Sequence, residues 1–290
     1  MHSGSSSAEK TFTEYYHGRT GLVIGKGKTL FSEQSPFQQV EVFESDTWGN
    51  VMTIDGIVML SERDEFVYHE MLVHVPMFAH PDPRHVLIIG GGDGGSAREV
   101  LRHDCIERVD MVEIDEAVIR ASRLHMPSVG DFNDPRLVLT IGDGIAFLKR
   151  KTAAYDVIIV DGSDPVGPAE GLFNRSFYED CRRALKPDGI VVAQTDSPWL
   201  ARFPKTAGAL FGIHRELFSC SRAYLSFIPL YPTGMFTMAW ASLGVDPVSD
   251  ESMMRVHERL TRYPHALRYY NEDVHRAAFT LPNFVKTQLM

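Results

Sequence analysis

Five carboxylates stand where apolar runs or glycine turns end: Asp93, Glu113, Asp143, Asp161 and Asp164. The turns that carry them hold no lysine or arginine. Carboxylates crowded on one rim raise one another's pKa unless a cation arrives. Two kinds of ligand relieve them, a metal ion or an organic cation such as an amine or a sulfonium. Asp161-Gly162-Ser163-Asp164-Pro165 places two acids three positions apart in a turn fixed by proline. One can orient a primary ammonium while the other takes its proton. A free amine has a pKa of about 10, so a positioned carboxylate assists its attack on carbon. Tyr68 and Tyr231 are candidate hydroxyls to orient that acid or the amine. In the metal reading, Asp161 and Asp164 hold Mg²⁺ or Ca²⁺. That reading lacks an EF-hand or H-E-x-x-H spacing, and His69, Glu70 and His74 do not supply one. His69 and His74 read as core histidines on their own.

The elements that must position these acids begin at His85. Residues 86–89 are an unbroken apolar run, six residues of the turn Gly90 to Gly95 follow, and a helical pattern leads to a second apolar run ending in Glu113. This is a βαβ unit of an open α/β sheet. Gly90, Gly92 and Gly95 fit G-x-G-x-x-G and are expected to leave room for a ligand at a helix N-terminus. Asp93 in that turn would repel a pyrophosphate, which points to a nucleoside ligand with positive charge. Glu113 is placed to accept ribose hydroxyls. Further strands are expected at 135–141, 156–160, 190–194, 223–228 and 235–241, with helices at 145–151, 173–185, 199–218 and 250–259. Ligands of such sheets bind outside the carboxyl ends of the strands, where the five acids converge.

Residues 10–62 read as a small antiparallel unit, with Asp55-Gly56 as a hairpin turn. It cannot bury both faces and is expected to pack on the larger domain or on another subunit. A helix is expected from Ser61 as cap, ended by Pro76, Pro81 and Pro83. The resulting division is a disordered start at 1–9, a β-stranded domain with its connecting helix at 10–75, and a Rossmann-like domain at 76–290. Thirty-eight acidic residues against 29 basic give a net charge of −9, and no basic block appears. Nucleic acid is therefore an unsuitable partner. No apolar run is long enough to span a membrane. Cys105, Cys181 and Cys220 have no metal-site spacing and read as buried thiols of a cytoplasmic protein.

Several long segments carry a resemblance: DGIVMLSERDEFVYHEML, HVLIIGGGDGGSAREVL, MVEIDE, GDGIAFLK, DVIIVDGSDPVGPAEGLF and YYNEDVHRAAFTLP. Together the matching segments span most of the chain, and it resembles the spermidine synthases of the polyamine aminopropyltransferase family. The resemblance implies an N-terminal β domain, a methyltransferase-like Rossmann domain, and a homodimer or homotetramer. It implies decarboxylated S-adenosylmethionine as donor and co-substrate, with no cofactor and no metal. By the same resemblance Asp93 and Asp164 hold the aminopropyl ammonium, and Glu113 takes the ribose hydroxyls. Asp143 and Gly144 meet the adenine amine, Pro168 and Leu172 lie on the ring, and Gln38, His69, Gly90 and Gly92 complete the donor site. Asp161 is the base, aided by Tyr68, and Tyr231 contacts the acceptor. The loop at 162–171 is expected to close over both substrates. Putrescine is the expected acceptor, with cadaverine, agmatine or a longer amine as alternatives. Gly162 and Met59 depart from the common family pattern, and the 199–208 segment matches it poorly. The rival readings are a methyltransferase that uses intact S-adenosylmethionine, and a polyamine-binding protein without catalysis.

Overall fold

A computed structural model describes residues 10–17, 20–130, 132–162 and 171–289. The chain opens with a hairpin, β1 (Thr11–His17) and β2 (Thr20–Gly25). A four-stranded antiparallel sheet follows: β3 (Thr29–Gln34), β4 (Gln39–Ser45), β5 (Gly49–Ile54) and β6 (Ile57–Ser61). Asp55 and Gly56 turn the β5–β6 hairpin with φ of 50° and 75°, as that dipeptide requires. The apolar face of this sheet, Val40, Val42, Met52 and Leu60, packs on α3 (Glu116–His125).

Helix α1 (Glu65–Ala79) links the two parts and is buried at every position except Phe66. It differs from expectation at both ends. Ser61 does not cap it; its hydroxyl donates to Asp64 Oδ1 at 2.6 Å, and Asp64 precedes the helix without a side-chain cap. Pro76 does not end it either. It sits in the last turn, where its missing N–H costs one bond, and His80 N closes the helix on Pro76 O at 2.9 Å.

The main sheet has seven strands in the order β12-β13-β11-β10-β7-β8-β9. These are β7 (His85–Gly90), β8 (Arg108–Glu113), β9 (Leu137–Ile141), β10 (Tyr155–Asp161), β11 (Leu185–Asp196), β12 (Cys220–Phe227) and β13 (Met235–Ser242). β7 to β11 run parallel, and β13 is antiparallel to its neighbours. Alternate residues feed opposite layers, as a strand's period of two dictates. Val86, Ile88, Val157 and Ile159 join the core with α1, whereas Leu87, Ile89, Ile158 and Val160 join the core of α5 (Arg175–Ala184) and α6 (Phe203–Leu217). Strand order reverses between β7 and β10, which is where ligands bind in such sheets. The other helices are α2 (Gly95–Leu101), α4 (Gly144–Leu148), α7 (Asp250–Arg262), α8 (Glu272–Ala278) and α9 (Asn283–Gln288). The last two lie in the tail, whose helices the apolar spacing did not define. Glu70 of α1 secures that tail by accepting from Arg268 N, Tyr269 N and Tyr270 N, each at 2.8 Å. Cys105 is exposed, not buried, because it lies in the turn before β8. Among the described residues no helix is long and apolar enough to cross a membrane.

Buried histidines whose pKa values are held down make the fold acid-sensitive. His214 lies among Tyr178, Phe211 and Phe218, and burial holds its pKa down to about 3. Burial likewise holds His80 and His275 down to about 4. For a histidine lowered on folding, the unfolded chain binds more protons once the pH falls below about 6.5, so stability drops with pH. At pH 5 His214 alone is expected to cost about 2 kcal/mol. Thermal scans of wild type and His214→Phe between pH 7 and 5 should show the variant losing less, and parallel losses would refute this account.

Candidate active site

Asp161 ends β10 beside Gly90, the last residue of β7. Gly90 has φ +85°, and a Cβ there would stand 2.1 Å from Asp161 O, so only glycine fits this crossing. Gly91 N donates to the same carbonyl at 2.9 Å. The carboxylate is buried and receives two hydroxyls, Tyr68 to Oδ1 and Ser96 to Oδ2, each at 2.6 Å. Burial, followed by the nearby charge of Asp93, raises its pKa, against the pull of His69, Ser96 and Tyr68. Burial and the same Asp161 charge raise Tyr68 well above its usual range, so it stays a donor. Each carboxylate oxygen retains a lone pair for a further donor.

The acids are not without a cation. His69 is buried between two carboxylates, with Nδ1 2.6 Å from Glu65 Oε2 and Nε2 3.1 Å from Asp93 Oδ1. Burial alone would lower its pKa, but Asp93 and Glu65 outweigh it and lift it to about 10. The imidazole is therefore an imidazolium at neutral pH. Arg98 supports it from behind, its Nη2 2.9 Å from Glu65 Oε2. Asp93 Oδ1 also accepts from Gly95 N at 2.7 Å. Despite its burial, these donors hold Asp93 below the usual carboxylate range. The glycine turn thus serves the protein's own side chain as well as any ligand. A Cβ on Gly95 would come within 2.3 Å of the His69 ring.

A cleft opens in front of this cluster. It is lined by twelve of the fourteen sequence-derived site residues: Gln38, Tyr68, His69, Gly90, Gly92, Asp93, Glu113, Asp143, Gly144, Asp161, Leu172 and Tyr231. The other two, Asp164 and Pro168, lie outside the described residues, as does most of the 162–171 loop. Glu113 is buried and accepts from Gly92 N at 3.0 Å and Asp115 N at 2.8 Å. Burial raises its pKa to about 7, since those two amides only partly compensate. Asp143 Oδ1 caps α4 through Ile145 N and Ala146 N. Ile89, Val112, Ile114 and Ile145 give this end of the cleft an apolar floor suited to a flat ring. Ser35 ties down the β3–β4 turn, which brings Gln38 to the cleft, by donating its hydroxyl to Asp115 Oδ2 at 2.7 Å. Tyr231 donates to Met59 O at 2.6 Å, which ties the β12–β13 loop to β6.

A second cavity continues from the first, sharing Met59, Tyr68, Gly162 and Tyr231. Asp161 lines the first chamber and sits against Tyr68 and Gly162, which face both; the second is also lined by Glu14, Tyr15, Tyr16, Gln194, Asp196 and Phe236. Sequence reasoning missed Ser96, Glu65, Arg98 and Glu14. Ser96 follows the glycine turn directly, and Glu65 and His69 are one helical turn apart, so both had local signals. Arg98 and Glu14 had none, because they arrive from other elements.

His69, Asp93 and Asp161 bring ligand atoms within 4.8 Å of one another, a cluster a metal could bridge. The donor set argues against it. Both nitrogens of the His69 ring already face carboxylates, Nδ1 at Glu65 and Nε2 at Asp93, so the ring is committed to these contacts.

Comparison with known proteins agrees with this geometry. Residues 65–248 match the spermine/spermidine synthase domain, and residues 11–62 match the spermidine synthase tetramerisation domain. A polyamine aminopropyltransferase of Shouchella clausii (strain KSM-K16) is 43% identical over 96% of this chain and 98% of its own. That of Bacillus subtilis (strain 168) is 42% identical over the same shares. A crystal structure of spermidine synthase in complex with the transition-state analogue AdoDATO superposes with a TM-score of 0.92 at 41% identity, over 97% of this chain and 95% of that one. The spermidine synthase of Thermotoga maritima gives 0.89 at 40%, over 97% and 94%. An acid-rimmed cleft on this fold, with these relatives, leaves one conclusion: the chain belongs to the spermidine synthase family of polyamine aminopropyltransferases.

Proposed function

We propose that this protein transfers the aminopropyl group of decarboxylated S-adenosylmethionine to putrescine, with Asp161 as general base. The observation that carries the reading is Asp161 itself, buried, raised in pKa and oriented by two hydroxyls, one of them from Tyr68, which faces both cavities. The donor's nucleoside lies in the first cavity, its ribose on Glu113 and its adenine against Leu172 near Asp143, Gly144, Gln38 and Pro168. Asp93, fixed by His69, and Asp164 receive the aminopropyl ammonium. Tyr231 faces the acceptor. The acceptor nitrogen attacks the methylene next to sulfur, a C–N bond forms, and the C–S pair leaves with sulfur as methylthioadenosine. Asp161 takes the acceptor's proton, a transfer favoured by a base whose pKa is raised by burial.

The test is direct. Mixing protein, decarboxylated S-adenosylmethionine and putrescine should release methylthioadenosine and spermidine together. Binding of both amines with no methylthioadenosine would leave only a polyamine-binding protein. Release of S-adenosylhomocysteine from the intact donor would favour a methyltransferase instead.

The reaction needs no metal in this reading. Activity is expected to survive exhaustive chelation; loss of turnover restored by Mg²⁺ would overturn that. Residues 11–62 match a domain named for tetramerisation, and β1–β2 expose Tyr15 and Val23 at 68% and 62%. The protein is therefore proposed to be a homo-oligomer built through these strands, in the cytoplasm. Light scattering that returned the mass of one chain at micromolar concentration would contradict the assembly.

A further inference from the structure

Burial strengthens a base only while that base remains ionised. Asp161 is buried, and both burial and the charge of Asp93 favour its protonated form. A carboxyl already protonated when the acceptor arrives cannot take the acceptor's proton. The described groups that face Asp161 are Tyr68 and His69 of α1, Asp93 of the glycine turn and Ser96 of α2. One contact further out stand Tyr231 of the β12–β13 loop, beside Tyr68, and Glu113 of β8, beside Gly92. His69 divides its charge between Asp93 and Glu65. Tyr68 lines both chambers, so its hydroxyl is within reach of substrate as well. Ser96 differs from all of these. It is wholly buried, lines neither chamber, and donates its hydroxyl to Asp161 Oδ2 at 2.6 Å. The helix that carries it is fixed on both sides of the serine. Gly95 N donates to Asp93 Oδ1 at 2.7 Å, and Arg98 grips Glu65 of α1 through Nη1 at 3.0 Å and Nη2 at 2.9 Å.

We propose that Ser96 is a positioning residue for the transfer: acting through Asp161, its hydroxyl keeps the buried base ionised until the acceptor's nitrogen arrives. The inference rests on the aminopropyl-transfer reading above and deepens it. A hydroxyl bonds a carboxylate more strongly than it bonds a carboxylic acid, so this bond opposes proton uptake from water. As the C–N bond forms, the acceptor's proton passes to Asp161, and Ser96 keeps its own. The serine touches neither substrate, so its effect on the rate is carried by Asp161. Burial and Ser96 therefore work in opposite directions on one carboxylate. The first makes it a stronger base, and the second keeps it available as one.

The experiment follows kcat with putrescine from about pH 6 to pH 9 in wild type, Ser96→Ala, Ser96→Thr, Asp161→Asn and the double variant Ser96→Ala/Asp161→Asn. Ser96→Ala is expected to lose about tenfold in kcat near pH 7, with a deficit that shrinks as the pH rises and Asp161 ionises without help. The ionisation of the amine, and of Glu113 with its pKa of about 7, is common to both enzymes, so their ratio isolates the base. Tyr68 stays protonated and His69, with a pKa of about 10, stays charged over most of that range. Ser96→Thr keeps the hydroxyl and should stay near wild type. The double variant should be no slower than Asp161→Asn, because the serine has then lost the group through which it acts. Calorimetric donor affinity, expected to be unchanged, reports that each variant is folded. A Ser96→Ala rate within about twofold of wild type at every pH would overturn the proposal, and so would a deficit of one size at every pH. A double variant slowed by the full Ser96→Ala factor beyond Asp161→Asn would also overturn it, since the serine would then act elsewhere. Failure of wild type to release methylthioadenosine with any amine would instead refute the functional reading beneath it.

Discussion

Asp161→Asn is expected to lower turnover by about 10²–10⁴-fold, the range that general base catalysis contributes. Asparagine keeps the size of the side chain and can still accept from Tyr68 or Ser96, so the pocket should hold its shape. The loss should therefore fall on kcat, with donor affinity little changed. Raising the pH should recover part of the rate, because more of the acceptor is then already free amine. Asp93→Asn should behave differently: on the proposed reading a charge-assisted bond to the donor's ammonium would be lost and binding should weaken. Steady-state kinetics across pH, with donor affinity measured separately, distinguish the two. Near-normal turnover of Asp161→Asn at neutral pH would show that another group takes the proton.

The second large effect is on the protein itself. His69→Gln removes the cation held between Asp93 and Glu65 and leaves buried charge uncompensated, at a cost of about 3–5 kcal/mol. For a chain of this size that lowers Tm by about 10 °C. The pH dependence has a definite sign. A histidine whose pKa rises on folding, here to about 10, stabilises fully below about 6.5 and loses that contribution as the pH climbs toward 10. Wild type should thus approach the variant at alkaline pH. Scans at pH 7 and above 10 decide it: equal melting temperatures at neutral pH, or a gap that persists at high pH, would mean that His69 is not the imidazolium described.

How much of this was legible in the sequence depended on range. The βαβ start, the hairpin at Asp55-Gly56 and most strands of the main sheet follow from local periodicity and turn chemistry, and the structure has them. The acid rim was also visible, since each acid ends its own element. What stood between the acids was not. His69 reads as a core histidine on its helix, and only packing α1 against the glycine turn shows that it is charged. The acids therefore looked uncompensated and seemed to demand an external cation, when His69 already supplies one beside Asp93. Pro76 misled for a similar reason. Proline breaks an isolated helix, but in the last turn of a helix buried on all sides the tertiary contacts outweigh one missing bond.

The three amides that the tail presents to Glu70 have a consequence for how the chain is made. Donor and acceptor are separated by 198 to 200 residues. Until the ribosome has delivered Tyr270, the central helix carries a carboxylate at its buried face with none of these donors. The two residues just ahead of it on that helix are Tyr68 and His69. The helix that carries Tyr68 and His69 therefore cannot settle before residues 268–270 have been made. A chain cut short before Arg268 would keep every one of those groups and still lack the contacts that seat them.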